Sequence, residues 1–220
     1  MARARILCFG DSNTWGYAPV PAPPSVRHAE QDRWPQVMGA ALGDVTVIEE
    51  GLNGRTTDAD DPLIPQLAGA GVNGAAYLPA AMASHNPLDL VIIMLGTNDL
   101  KPHLNRLPPR IAMGAKRLLD IVRTLDGGVG TAYPNPKALL ICPPPPGTLS
   151  PYFADHYAGG AQKGRALPPL YAAVAERAGA AFLDAGTVIT TDGDDGVHFS
   201  AAMQRRLGLA VADKVRALPG

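Results

Sequence analysis

Five short, nearly continuous apolar runs, at residues 5–9, 45–49, 89–95, 137–142 and 180–184, are separated by longer segments of helical period. Few folds accommodate that alternation. Runs of this kind are strands covered on both faces, not the alternating strands of a half-exposed sheet. Between them, residues 34–42, 111–125 and 167–178 have helical spacing, and residues 201–218 close the chain with another helix. Ile111, Ala115, Leu118, Leu119 and Val122 recur at three and four residues, which places them in one apolar stripe. Repeated strand–helix units predict a parallel sheet with right-handed crossovers and helices on both faces. The expected architecture is a three-layer α/β fold around a five-stranded, flavodoxin-like parallel sheet. With no internal repeat and no clean linker, residues 1–220 are read as one domain.

Composition narrows the partners. Lys and Arg number 19 against 20 Asp and Glu. That balance lacks the basic footprint of a nucleic-acid binder and gives no polybasic segment for a membrane surface. The longest apolar run, residues 90–95, is far short of the ~20 residues needed to cross a bilayer. Residues 6–9 are too short for a signal-peptide core. Cys8 and Cys142, both in predicted strands, read as buried free thiols in a reducing compartment, so a cytoplasmic location is expected. The 22 prolines and 24 glycines are many for so apolar a chain and imply shaped loops. Two long aperiodic segments, 18–33 and 143–165, are proline-marked and follow predicted strands. Each is either a wall of the ligand crevice or else an oligomer contact or plain surface decoration.

Chemistry-bearing residues gather at strand ends. After the first strand comes Gly10-Asp11-Ser12-Asn13, where Ser12 can present its hydroxyl at the sheet edge or cap a helix. After the second comes Asn53-Gly54, whose glycine can turn a backbone N–H toward a ligand or merely form a turn. After the third comes Gly96-Thr97-Asn98-Asp99. If strands one and three are neighbours, Asn98 stands beside Ser12, where its amide can donate to an oxyanion, though a turn Asn is the ordinary alternative. After the fifth, Asp195 precedes His198 by three residues, so one irregular turn can supply both an imidazole and the carboxylate that orients it. Asp192 and Asp194 compete for that second role. His28, His85, His103 and His156 are scattered without ligand spacing and read as solvated or structural. No metal is expected: the Asp-rich turn lacks the Glu of an EF-hand loop. There is likewise no phosphate-loop signature, no Gly-x-Gly-x-x-Gly after the first strand and no Gly-x-Ser-x-Gly.

Gly-Asp-Ser-Asn, Gly54, Gly96-Thr97-Asn98-Asp99 and Asp195-x-x-His198 stand in the chain order of the SGNH (GDSL-type) hydrolases, which the chain resembles from Gly10 to His198. Segments 48–52, 55–57, 90–95 and 191–193 further resemble the small bacterial arylesterases with acyltransferase and perhydrolase activity. The resemblance implies a cofactor-free serine esterase for small carboxylic esters. Ser12 would be its nucleophile, His198 its base and then acid, and Asp195 the residue orienting His198. The oxyanion donors would be Ser12 N–H, Gly54 N–H and Asn98. Asp11, Asn13, Trp15, Tyr17, Asn53 and Thr97 are the expected pocket residues. Asn13 departs from the hydrophobe of many relatives, and Asn53-Gly54 from a Ser-Ala pair. A homo-oligomer is expected, its neighbours walling in the site. The rivals are a carbohydrate O-deacetylase and a non-catalytic flavodoxin-like binding module.

Overall fold

The computed structural model describes residues 3–64 and 70–218. Five strands, β1 (Ala4–Gly10), β2 (Val45–Gly51), β3 (Leu90–Met94), β4 (Lys137–Cys142) and β5 (Ala181–Asp184), form one parallel sheet in the order β2-β1-β3-β4-β5. The chain leaves β1 toward β2 on one side and returns with β3 on the other. That reversal opens a crevice beyond the carboxyl ends of β1 and β3, where α/β sheets bind ligands.

The helices are α1 (Ser12–Trp15), α2 (Trp34–Leu42), α3 (Gly74–His85), α4 (Pro108–Thr124), α5 (Pro151–His156), α6 (Gly160–Arg165), α7 (Leu167–Arg177) and α8 (Ala201–Arg216). Alternate strand residues face two separate cores. Leu7, Phe9, Val91, Ile93 and Leu140 pack with Leu78 and Met82 of α3, the α4 stripe, and Tyr171 of α7. Ile6, Cys8, Ile92, Met94 and Ile141 pack with Trp34 and Met38 of α2 and with Leu207 and Val211 of α8. Both cysteines are buried free thiols. Each fully buried Leu or Ile contributes about 1.5–3 kcal/mol, so the two cores hold the sheet, and with it the strand ends, as a rigid frame.

Several expectations need correction. The edge strands β2 and β5 are only half-buried along their whole length, so double coverage applies to β1, β3 and much of β4 alone. Helix α3 has no counterpart in the sequence reading. Its alanine-rich segment is apolar on several sides and carries Pro79 inside, which hides the period, although Asn73 caps it by accepting from Ala76 N. Segment 143–165 is not a plain loop, because it contains α5 and α6. Ser150 caps α5 and Pro151 occupies its first position, a start signal legible in sequence. Among the described residues no helix is long and apolar enough to cross a membrane.

Candidate active site

Helix α1 begins one residue beyond β1, and close packing makes the turn possible. A Cβ on Gly10 would stand 2.0 Å from Thr14 Oγ1, and one on Gly51 would stand 2.2 Å from Trp15 N. Only glycines let α1 sit down onto the ends of β1 and β2. Asp11 caps the helix, its carboxylate accepting from Asn13 N at 2.9 Å. Ser12 is therefore the first helical residue, and its N–H has no acceptor within the helix.

Its side chain meets the turn after β5. His198 Nε2 lies 2.9 Å from Ser12 Oγ, and His198 Nδ1 lies 2.8 Å from Asp195 Oδ2. The other Asp195 oxygen accepts from Val197 N at 2.7 Å and His198 N at 2.8 Å. Asp195 is fully buried. Burial works to raise its carboxyl, but the hydrogen bonds and charge of His198 outweigh that and hold it below the ordinary value. An ionised Asp195 accepts from Nδ1–H, which leaves the Nε2 lone pair facing the serine hydroxyl. The competing acids are placed elsewhere: Asp192 accepts from Ser200 N and Oγ at the start of α8, and Asp194 is exposed.

Beside Ser12 lies a cavity of about 190 Å³, lined by Ser12, His198, Asn98, Gly54 and Asn53 together with Tyr17. Asn98 Nδ2 donates to Arg55 O at 3.1 Å, and its Oδ1 accepts from Tyr157 O–H at 3.1 Å. Gly54 has φ of +85°, a left-handed backbone that favours glycine, and a Cβ there would stand 2.6 Å from Ile64 Cδ1. The Tyr17 ring stacks on His198 with centroids 4.2 Å apart, and Phe153 meets the same imidazole edge-on at 6.0 Å.

Behind the cavity, Asp99 ties two strand ends together. Its carboxylate accepts from Thr57 N and Oγ1 and from Arg106 at 2.6 Å, and Arg106 also reaches Asp58. Burial pushes the Asp99 carboxyl up to about 6 against the opposing pull of Arg106. The segment carrying Gly54 is thereby fixed against the one carrying Asn98.

Ser12, Gly54, Asn98, Asp195 and His198 are thus brought together, with Tyr17 and Asn53 on the cavity wall. Four expected pocket residues are not on that wall. Asp11, Asn13 and Thr97 are buried, and Trp15 lies under the Arg27 guanidinium, 5.2 Å from its ring centroid. Successive residues of a helical turn point in different directions, so only Ser12 faces the cavity. Conversely, Pro23, Lys101, Tyr152, Phe153, His156 and Tyr157 line it although none of them is among the expected pocket residues. His156 is exposed, as the sequence reading had it, but it stands on the wall. The signal was the two proline-marked segments: 18–33 supplies Pro23 and 143–165 supplies the aromatic wall. Ser150 joins them, donating its hydroxyl to Pro21 O at 2.7 Å and its N–H to Asp195 O at 3.2 Å. Of the remaining histidines, His85 pairs with Glu50, His103 with Asp61, and His28 reaches Phe199 O.

A serine hydroxyl, an imidazole and a buried carboxylate hydrogen-bonded in series beside one cavity can carry out acyl transfer. Comparison with known proteins agrees with that chemistry. No curated protein matches the chain. Among solved structures, the aryl esterase of M. smegmatis is 51% identical over 98% of this chain and 100% of its own, with a TM-score of 0.93. A carbohydrate acetylesterase from Sinorhizobium meliloti is 49% identical over the same shares, also with a TM-score of 0.93. A second S. meliloti structure, of a carbohydrate acetylesterase family member, is 41% identical over 97% of each chain, with a TM-score of 0.88. Residues 8–206 match the GDSL-like Lipase/Acylhydrolase family. The chain belongs to that family.

Proposed function

We propose that the protein is a serine esterase that cleaves small carboxylic esters through an acyl-enzyme. The observation carrying this reading is the unbroken chain from Asp195 through His198 to Ser12 at 2.8 and 2.9 Å, ending at a cavity that Asn98 and Gly54 also line. Ser12 Oγ attacks the ester carbonyl while His198 Nε2 takes its proton. The oxyanion is held by the N–H groups of Ser12 and Gly54 and by Asn98 Nδ2. His198 then protonates the departing alcohol, and water or another acceptor, activated by the same nitrogen, releases the acyl group from Ser12. Asp195 stabilises the imidazolium formed in each step.

The small cavity favours a short acyl group, and its aromatic wall offers flat contacts to an aryl or sugar alcohol. Transfer to an alcohol or peroxide competes with hydrolysis where water is excluded. A homo-oligomer, with neighbours covering the cavity mouth, would serve that exclusion. The buried free thiols fit a reducing, cytoplasmic setting.

Turnover of an aryl acetate by purified Ser12→Ala tests the reading. Loss to near the uncatalysed rate with the fold intact is expected, and wild-type turnover would overturn it. Carbohydrate O-deacetylation is the second reading, favoured by the near-equal similarity to the S. meliloti acetylesterase. A panel of acetylated sugars beside aryl and alkyl acetates separates the two by kcat/KM.

A further inference from the structure

A carboxamide is symmetric in shape and asymmetric in chemistry. Turned one way, Asn98 offers N–H donors to the cavity. Turned the other, it offers a carbonyl oxygen that would repel a developing oxyanion. Two neighbours decide between these states. The Arg55 carbonyl, 3.1 Å away, can only accept, so the amide nitrogen must face it. On the other side stands the Tyr157 hydroxyl, 3.1 Å from Asn98 Oδ1, where it donates. With one N–H spent on Arg55, the second remains available on a side chain that lines the cavity beside Ser12.

The geometry points to Tyr157 as a positioning residue for the oxyanion site, fixing and polarising the Asn98 carboxamide so that its free N–H serves the reacting carbonyl. The inference rests on the acyl-transfer reading above and extends it to a residue 59 positions away from Asn98 in sequence. Donation into the amide oxygen draws electron density from the amide nitrogen. Its N–H becomes a stronger donor, most of all when negative charge develops opposite it. Tyr157 is itself well held. Its N–H donates to Phe153 O at 3.0 Å, its carbonyl accepts from Gly160 N at 2.7 Å, and its ring packs near Phe153 in the step between α5 and α6. The residue is 5% exposed, and burial, joined by the charges of Asp11 and Asp195, raises the phenol above its ordinary value. The hydroxyl therefore stays a donor across the pH range in which an esterase works.

A cavity-wall role alone would need the ring and not the hydroxyl, which makes the inference testable by a double-mutant cycle. Tyr157→Phe keeps the wall and removes the donor. For aryl acetate turnover, Tyr157→Phe in the wild-type background should lower kcat about tenfold, with KM within about twofold. Introduced into Asn98→Ala, the same change should alter kcat by less than about twofold, because the group it acts through is gone. An equal loss in both backgrounds, or no loss in the wild type, overturns the inference and leaves the esterase reading standing. Wild-type kcat in Asn98→Ala alone would overturn both this inference and the assignment of Asn98 as an oxyanion donor, while Ser12→Ala still reports on the nucleophile. If Tyr157→Phe does not fold, a ring-fluorinated tyrosine at 157, of nearly the same shape and a stronger donor, replaces it. That residue should raise kcat in the wild type and not in Asn98→Ala, and a rise in both or neither counts against the inference.

Discussion

Asn13 grips the backbone on both sides of His198. Its Nδ2 donates to Val197 O and its Oδ1 accepts from Phe199 N, each at 3.3 Å, while its own carbonyl accepts from Gln204 Nε2 of α8 at 2.9 Å. Because Asn13 directly follows Ser12, one fully buried side chain fixes the distance between the serine hydroxyl and the imidazole. The departure from a hydrophobe at this position is therefore a structural part of the site rather than a change in its pocket.

Asn13→Leu should leave the Val197 carbonyl and Phe199 N–H buried without their partner. We expect a stability loss of about 1–3 kcal/mol by denaturant unfolding. The Ser12–His198 contact should loosen as well, and kcat for an aryl acetate should fall about tenfold. Full activity with reduced stability would separate the grip from the chemistry.

Tyr17 offers the His198 ring a flat aromatic face at 4.2 Å. An imidazolium formed during acylation is stabilised by such a face, by roughly 0.5–2 kcal/mol. Tyr17→Leu should lower kcat about threefold to tenfold, and Tyr17→Phe, which keeps the face, should lower it less. Equal losses in the two variants would assign the effect to the hydroxyl instead.

Asp11 predicts a pH dependence of stability. Its carboxyl is fully buried, and burial, aided by the charge of Asp99, pushes its pKa up to about 7 against the opposing pull of Asn13 N–H, Arg55 and Thr97. The folded state thus holds this proton more tightly than the unfolded chain does, whose carboxyl titrates near ~4. The associated stability is fully present below ~4 and is lost as pH rises through about 7. Relative to Asp11→Asn, the wild type should lose unfolding free energy between pH 5 and pH 8. Parallel curves for the two proteins would show that Asp11 does not titrate in that window.

Arg106 is buried against Asp58 and Asp99, and its removal leaves Asp99 buried with Thr57 alone and Asp58 with the exposed Arg110 and Arg117. Arg106→Leu should cost about 3–5 kcal/mol of stability, read by chemical denaturation. Since Asp99 also fixes Thr57, the same variant should lower kcat more than it raises KM, the sign of a displaced oxyanion site. A variant of native stability would mean that the aspartates are satisfied without it.

How legible the site was in the sequence depended on where each contact lies. Ser12, Gly54 and Asn98 lie within four residues of the carboxyl ends of β1, β2 and β3, the Asp195–His198 pair lies in the longer segment after β5, and a parallel sheet with β1 beside β3 gathers those segments at one edge. Asp195 could not be separated from Asp192 by spacing. The choice is made by Ser200, which takes Asp192 to the start of α8. Asp11, Asn13, Trp15 and Thr97 were expected on the cavity wall because they neighbour Ser12 or Asn98 in sequence, yet the tight α1 turn and the start of the next segment direct them away. The aromatic wall from Tyr152 to Tyr157 was hidden because α5 and α6 are each six residues long, too short to show a helical period. The Tyr157–Asn98 contact joins two strand-end segments that no local pattern connects.

The most direct test of the central claim is covalent labelling of Ser12 by an activated organophosphonate, mapped by peptide mass spectrometry. His198 is proposed to activate this one hydroxyl. Wild-type protein should therefore carry a single label on Ser12, and His198→Ala, with its fold intact, should remain unlabelled over the same interval. Label on another residue, or equal labelling of Ser12 without His198, would contradict the account.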